Sequence, residues 1–458
     1  MNFDLSHWQT RLDQLAATHH VPGATLAVLT EGEIHELATG RLHTGTGVET
    51  TTDSLFLTGS VAKVYTATAI ARLADEGLLD LDAPVRAVLP DFTVADPEAS
   101  RTVTPRQLLS HTSGLTCDFN YDGGRGDDCL ERFVAAAATV PLDCPPGMVS
   151  YSSVGYVVLG RIIEVLTGTT WDQALKDLLF APLGMSHSMT LPEEALAFRT
   201  AMSHLGEPGA YPEPAPAWDL MPRAAGPYGR VITSAADMVR LARMHLDGGT
   251  APDGGRVLSA RAVEEMQRRV TGVPDKWTVS ADGWGLGWTL YDWDGVPGFG
   301  HDGAAIGQYA YLRVVPHAGV AVSLLTNGGG ARQLYGDLLA ELLAELAGVT
   351  MPGAFEPAAE PPAVDLAPHA GVYRREGVRI TISEQDGEGR IRYEFVDDMA
   401  GLSPAIEGRL IPLSGTVFAA TGAGPSFSEG YMPVVFATLP DGNACCYIGM
   451  RCAPRIAA

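Results

Sequence analysis

The chain has 458 residues, 46 % of them hydrophobic and 7 % aromatic, enough to bury a large core and to divide into two or three domains. Asp and Glu number 54 against 31 Lys and Arg, a formal net charge of −23. An acidic chain without basic runs is a poor partner for nucleic acid, whose phosphates need clustered cations, and for an anionic membrane surface. No stretch has the roughly 18 consecutive apolar residues of a membrane span. The opening MNFDLSHWQTRLDQLAATHH lacks the basic start and apolar centre of a signal peptide. The six cysteines, Cys117, Cys129, Cys144, Cys445, Cys446 and Cys452, do not make a disulfide framework in a chain this long. These features predict a reduced, cytoplasmic protein of enzyme size. Only Lys63, Lys176 and Lys276 are lysines; the other 28 basic residues are arginines. Where a lysine does occur, its chemistry is worth asking about.

In chain order, residues 24–40 (ATLAVL, TEGE, IHELATG) read as a hairpin around a polar Gly turn. Residues 60–77 carry apolar residues at helical spacing and stop at Glu76-Gly77. Further helices are expected over 153–167, 169–180 and 234–248, the last capped by Ser234. Strands return at 308–315 and 319–326, and 331–347 is an amphipathic helix. A strand pair, many helices, more strands and a closing helix predict an α+β fold: an antiparallel sheet whose first and last strands meet, flanked by helices. The Pro-rich stretch 351–367 reads as a stiff linker. After it, 368–458 holds short alternating runs (GVYRR, RITIS, RIRYEFV, TVFAAT, PVVFATL, CCYIGMR) with Gly, Asp and Pro turns, a small all-β barrel or sandwich. The expected division is therefore 1–350, a linker at 351–367, and 368–458.

Several familiar motifs are missing: no G-x-S-x-G elbow, no H-E-x-x-H, no phosphate loop. Gly283-Trp284-Gly285-Leu286-Gly287 lacks the strand-then-helix setting of a dinucleotide site. Asp118 to Gly123 matches the first half of a calcium loop, but position twelve is Cys129 rather than Glu, so a polar surface loop is the better reading. No metal or cofactor is expected. The informative pair is Ser60-Val61-Ala62-Lys63. Three residues apart on a helix, the two side chains share a face. A serine hydroxyl becomes a nucleophile when a base takes its proton. Lysine can be that base if its pKa is lowered; arginine cannot. A helix N-terminus also aims amides at developing negative charge. Taken alone, the pair equally fits a capping serine with an exposed lysine one turn on. Tyr151-Ser152-Ser153 follows the turn Pro145-Pro146-Gly147, and a tyrosine beside a lysine can pass a proton to a leaving group. Gly300-His301-Asp302-Gly303 precedes a strand, where a His beside bare backbone can contact a substrate carbonyl or carboxyl.

Together these residues resemble the serine β-lactamase and penicillin-binding-protein superfamily, in its class C and esterase branch. That branch carries S-x-x-K, then Y-x-N or Y-x-S, then K-T-G or H-x-G, and Ser60/Lys63, Tyr151/Ser153 and His301/Gly303 follow that order and spacing. LLSHTSGL at 108–115, GYVVLGRIIEVLTG at 155–168, FAPLGM at 180–185 and GWGLGW at 283–288 match as well. The resemblance covers roughly residues 10–347 and implies a β-lactamase/transpeptidase-like sheet flanked by helices. It implies that Ser60 attacks an acyl carbonyl, that Lys63 is its base, and that Tyr151 shares the proton and serves the leaving group. The oxyanion hole would be the amides of Ser60 and Ala304. His301 would stand in for the lysine of K-T-G and Ser153 for the usual Asn, with Gly303 and Asp302 beside the substrate. The C-terminal segment resembles the lipocalin-like domain that several relatives append. With His301 the fixed cation that grips a β-lactam carboxylate is gone, Asp302 adds negative charge, and Ser153 has no amide.

The resemblance thus implies a serine hydrolase acting on an ester or amide, with or without a D-configured residue. A second version keeps the acyl-enzyme but uses an amine in place of water. Penicillin-binding-protein-type thioesterases, which release and cyclise peptides, share the motifs, the ADGWGLG segment at 281–287 and the C-terminal domain. A third is a non-catalytic penicillin-binding-like sensor, which the intact Ser60, Lys63 and Tyr151 argue against. The partners implied are a small-molecule or peptide acyl substrate and, in the second version, an amine acceptor; the oligomeric state stays open.

Overall fold

A computed structural model describes residues 3–207, 209–421 and 430–456; positions 422–429 and 457–458 of the expected C-terminal segment lie outside the described residues. The first helix, α1 (Leu5–Thr18), is capped by the Asp4 carboxylate, which accepts from the His7 amide. Strands β1 (Gly23–Thr30) and β2 (Glu33–His43) then form the predicted hairpin. Glu31 and Gly32 both have positive φ, the type I′ geometry whose twist suits a two-residue hairpin. A short strand β3 (Val48–Glu49) follows, then α2 (Ala62–Asp75), α3 (Val154–Thr167) and α4 (Ala235–Leu246). The sheet resumes with β4 (Thr271–Gly272), β5 (Gly283–Trp284), β6 (Thr289–Trp293), β7 (Val296–Ala305), β8 (Gln308–Val315) and β9 (Val320–Thr326). Helix α5 (Ala331–Ala347) closes this part.

The nine strands lie in the order β3-β2-β1-β9-β8-β7-β6-β5-β4, all pairs antiparallel. First and last long strands meet as the order of elements predicts, with Ala24 opposite Thr326. β1 is buried along its whole length because both faces are covered. Ala27 and Leu29 pack toward α2, α3 and α4. Leu26 and Val28 pack the other way, against Leu12 of α1 and Leu338 and Leu342 of α5. Alternating side chains of one strand thus enter two separate cores. α2 is the innermost helix, with eleven of its fourteen residues buried. The 169–180 segment differs from a single helix: Trp171–Leu175 is α-helical and Lys176–Phe180 widens to a π turn.

After Ala347 the next regular element is a short turn at Ala367–His369. Eight strands then close a barrel: β10 (Gly371–Arg375), β11 (Val378–Gln385), β12 (Glu388–Phe395), β13 (Ile406–Pro412), β14 (Val417–Ala420), β15 (Met432–Thr438), β16 (Ala444–Ile448) and β17 (Arg451–Ile456). Closure is through Val372–Ile456 and Tyr373–Arg455. The alternation works as written: Ile380 and Ile382 point into the barrel core and Arg379 points out. This is a lipocalin-like barrel beside an α+β sheet-and-helix body. Two strands are not legible in the six expected runs. β13 is short of apolar alternation, and CCYIGMR is two strands, because Gly449 and Met450 make a tight turn with both φ values positive. Among the described residues, no helix is long and apolar enough to cross a membrane, and no group of three or more His, Cys, Asp or Glu is placed to hold a metal ion.

Candidate active site

Ser60 sits in a 3₁₀ turn, Gly59–Val61, that runs directly into α2. Lys63 follows in the first turn of α2, and its Nζ lies 3.4 Å from Ser60 Oγ and donates to the Tyr228 carbonyl at 3.0 Å. The rings of Tyr151, Tyr228 and Tyr156 surround that nitrogen at 4.7, 5.2 and 5.6 Å. Lys63 is fully buried. Burial brings its pKa down to about 7, helped by Arg451 and opposed by Cys117. An ammonium in this cage gives up its proton near neutrality, which an exposed lysine does not.

Tyr151 is hydrogen-bonded to Ser60, and burial raises its phenol well above the ordinary value. It keeps its proton at any moderate pH and is a donor. Its ring lies 4.3 Å from that of His111, with the Trp284 ring at 5.8 Å. His111 in turn accepts the Ser152 amide at Nδ1, 3.0 Å, so the histidine of LLSHTSGL braces the tyrosine motif from below.

His301 lies on β7, whose residues alternate faces. Gly303 shares the His301 face, and a Cβ placed on it would come 2.9 Å from the Ser60 amide nitrogen. A Cβ on Gly59, which has φ +52°, would come 2.5 Å from the Ala304 nitrogen. Two missing side chains therefore let the Ser60 turn and the Gly303–Ala304 segment meet backbone to backbone. The His301 ring packs edge-on to Trp284 at 5.7 Å. Its Nδ1 lies 2.6 Å from the Asp302 carbonyl oxygen. A carbonyl only accepts, so Nδ1 carries the hydrogen and Nε2 is left with a lone pair. Nε2 is buried and has no hydrogen-bond partner among the described residues. Burial, together with Lys63, lowers the ring to about 4, so it is neutral at physiological pH. Where the related lysine would be a cation and a donor, this chain presents a neutral acceptor.

The remaining expected residues separate. Asp302 points to the opposite face, where it pairs with the buried Arg313 at 2.5 Å, and Arg313 donates to Tyr335 Oη at 2.9 Å. Its negative charge is spent inside the sheet and does not face Ser60. Ser153 precedes α3, and its hydroxyl lies 3.3 Å from the Cys117 thiol. Burial raises that thiol, but Arg451, Lys63 and the Ser153 hydroxyl together outweigh it and leave the thiol below its ordinary value. Cys117 and Cys129 are both free thiols. The Asp118 loop is a polar surface loop, exposed at Asn120, Asp122 and Arg125 to Asp128, but Asp118 itself pairs with Arg375 of the barrel.

Four contributors are absent from the motifs: Tyr228, Cys117, Met450 and Arg451. The last two come from the barrel turn, with the Arg451 guanidinium 5.3 Å from the Tyr151 ring centre. No local pattern marks them, because each reaches the site across a long sequence separation.

The sequence profile of the Beta-lactamase family matches residues 8–346. "Penicillin-binding protein 4" of Amycolatopsis lactamdurans is 63 % identical over 378 residues, 82 % of this chain and 99 % of that protein. "Esterase EstB" of Burkholderia gladioli is 29 % identical over 353 residues, 67 % of this chain and 81 % of the esterase. The crystal structure of SurE superposes along 99 % of both chains, barrel included, with a TM-score of 0.79 and 29 % identity; a structure of SurE with D-Leu gives 0.76. With a matching profile across the body, a long relative at high identity and the fold reproduced from end to end, the chain belongs to the Beta-lactamase family of the serine β-lactamase and penicillin-binding-protein superfamily.

Proposed function

We propose that the protein is a serine hydrolase or acyltransferase that works through an acyl-enzyme on Ser60. The observation that carries this reading is the buried Lys63 Nζ at 3.4 Å from Ser60 Oγ, with a pKa near 7. The neutral amine takes the Ser60 proton as the oxygen attacks the acyl carbonyl carbon. The oxyanion is met by the amides of Ser60 and Ala304. As the tetrahedral adduct collapses, Tyr151 gives its proton to the leaving group and is reprotonated from the Lys63 ammonium. A second nucleophile reverses the sequence and frees Ser60.

His301 indicates what the acyl group carries. A lone pair at Nε2 in a buried position accepts an N–H and repels a carboxylate. Amino-acyl or peptidyl esters, thioesters and amides fit; D-configured residues are in keeping with the SurE structure solved with D-Leu. The same lone pair suits an incoming amine, which favours aminolysis or cyclisation as the second reading. The name of the Amycolatopsis relative makes penicillin a reasonable probe: slow acylation of Ser60 by benzylpenicillin is expected.

The test is intact-mass analysis after exposure to a fluorophosphonate. One adduct on the wild type and none on Ser60→Ala is expected; a folded wild type without an adduct ends the acyl-enzyme reading. A peptidyl thioester offered with and without a free amine separates the two versions. Hydrolysed product alone under both conditions ends the acyltransferase version.

A further inference from the structure

We propose that Asp275 and the barrel's last turn position Tyr151, which makes the barrel a working part of the acyl-transfer apparatus; this rests on the reading of Tyr151 as proton donor. β16 and β17 are joined by a two-residue turn in which Ile448 pairs with Arg451, and Gly449 and Met450 have φ +60° and +65°. Glycine tolerates that region; methionine, which carries a Cβ, is strained there. A strained residue here asks for compensation, and the contacts supply it. The Met450 carbonyl accepts the Tyr151 amide at 3.0 Å. The Met450 side chain packs in one buried cluster with Tyr151 and Trp284. Two residues on, the Cys452 amide donates to Ser150 Oγ at 3.2 Å, and Ser150 Oγ donates to the buried Asp143 at 3.0 Å. The barrel turn therefore grips the chain on both sides of the Ser150–Tyr151 peptide.

Asp275 holds the turn from the other end. It is fully buried at the start of the short helix Lys276–Val279. Oδ2 accepts the Met450 amide at 3.2 Å and the Thr278 hydroxyl at 2.6 Å, and Oδ1 accepts the Thr278 amide at 3.3 Å. The Gly449 amide also points at this carboxylate. One acid thus collects the successive amides of the strained turn, and the carbonyl of the same turn holds the tyrosine. The path runs Asp275, Met450, Tyr151, and every link is a hydrogen bond to backbone. Asp275 touches neither Ser60 nor Lys63 and is a positioning residue.

Such a role has a signature that mere stabilisation lacks. Tyr151 matters in proportion to the leaving group's need for a proton. A p-nitrophenolate leaves unaided, whereas an ethoxide does not. Single-turnover acylation is measured with p-nitrophenyl butyrate and ethyl butyrate for the wild type, Asp275→Asn, Tyr151→Phe and the double variant. Asn offers an N–H where the site needs an acceptor. Asp275→Asn is expected to slow the ethyl ester about 10- to 100-fold, within the span of a lost proton donor, and to leave the p-nitrophenyl ester within about twofold. The double variant is expected to be no slower than Tyr151→Phe, since coupled sites are not additive. Equal losses on both esters, or an additive double variant, overturn the proposal. If Tyr151→Phe itself treats the two esters alike, the proton-donor reading fails instead. Should Asp275→Asn not fold, Ser150→Ala carries the test of the barrel turn: it removes the Cys452 and Asp143 hydrogen bonds beside Tyr151, the same split between the two esters is expected, and equal losses on both overturn the proposal.

Discussion

Lys63 shows how a single burial decides chemistry. In water its amine would be protonated at neutral pH and useless as a base. Enclosed by three tyrosine rings it titrates near 7. A lysine in the proposed role of base acts only when neutral, so its proton is off before Ser60 loses its own. The acylation rate is expected to rise about tenfold per pH unit below 7 and to level above it, as read from a kcat/KM profile. Lys63→Arg keeps the charge but cannot accept a proton, and a loss of about 10²- to 10⁴-fold is expected in the same assay. His301 makes the complementary case. Its lone pair is set by one hydrogen bond of 2.6 Å to the Asp302 carbonyl. His301→Lys would restore a cation and a donor, and it is expected to speed benzylpenicillin acylation while slowing turnover of amino-acyl esters. Slower penicillin acylation in that variant would refute the acceptor assignment.

At the scale of elements, the site exists because a turn and a strand touch without side chains between them. Gly59 belongs to the 3₁₀ turn that starts α2, and Gly303 to β7. Each faces backbone of the other within 3 Å of where a Cβ would be. Gly303→Ala forces the strand away from the Ser60 amide. The expected result is a fall of about 10²- to 10³-fold in kcat, the size of a lost oxyanion donor, with stoichiometric fluorophosphonate labelling still reached at long times. Unchanged kcat would mean that the oxyanion is held elsewhere. Asp302 teaches the opposite lesson. It neighbours His301 in sequence, yet the period of two in a strand sends it to the far face and onto Arg313. Adjacency in a motif does not place a side chain in a site.

At the scale of the whole molecule, the barrel is fastened to the body by buried polar contacts as well as apolar ones. Cys144, Tyr447 and Cys452 share an apolar cluster with Trp277 and Met148 packed against it. Beside it, Arg375 of β10 is almost fully buried and pairs with Asp118. Removing Arg375 leaves the Asp118 carboxylate with only the more distant Arg451 guanidinium at 3.9 Å. Arg375→Met is expected to cost about 3–5 kcal/mol in chemical denaturation, and Asp118→Leu on top of it to recover most of that loss. A double variant as unstable as the single one would show that the pair does not fasten the barrel.

Much of this was legible without coordinates. Continuous apolar, β-branched runs marked β1, β8 and β9, which are covered on both faces, and helical spacing marked α5, each to within a residue or so, because apolar pattern records burial. The Ser60–Lys63 pair was legible because an α-helix fixes which residues share a face within one turn, and the rarity of lysine in this chain drew attention to it. Its role was open at that point, since spacing says nothing of solvent. Only the tertiary structure buried Lys63, chose the His301 tautomer, turned Asp302 away, and brought Tyr228, Met450 and Arg451 to the site. The physical reason is the same each time. Local sequence governs backbone geometry, whereas desolvation and the choice among hydrogen-bond partners depend on how the elements pack, often with residues more than a hundred positions away. The Gly449–Met450 turn joins the two limits: its strained geometry was invisible to a rule that expects Asn-Gly, and its purpose is visible only against Tyr151.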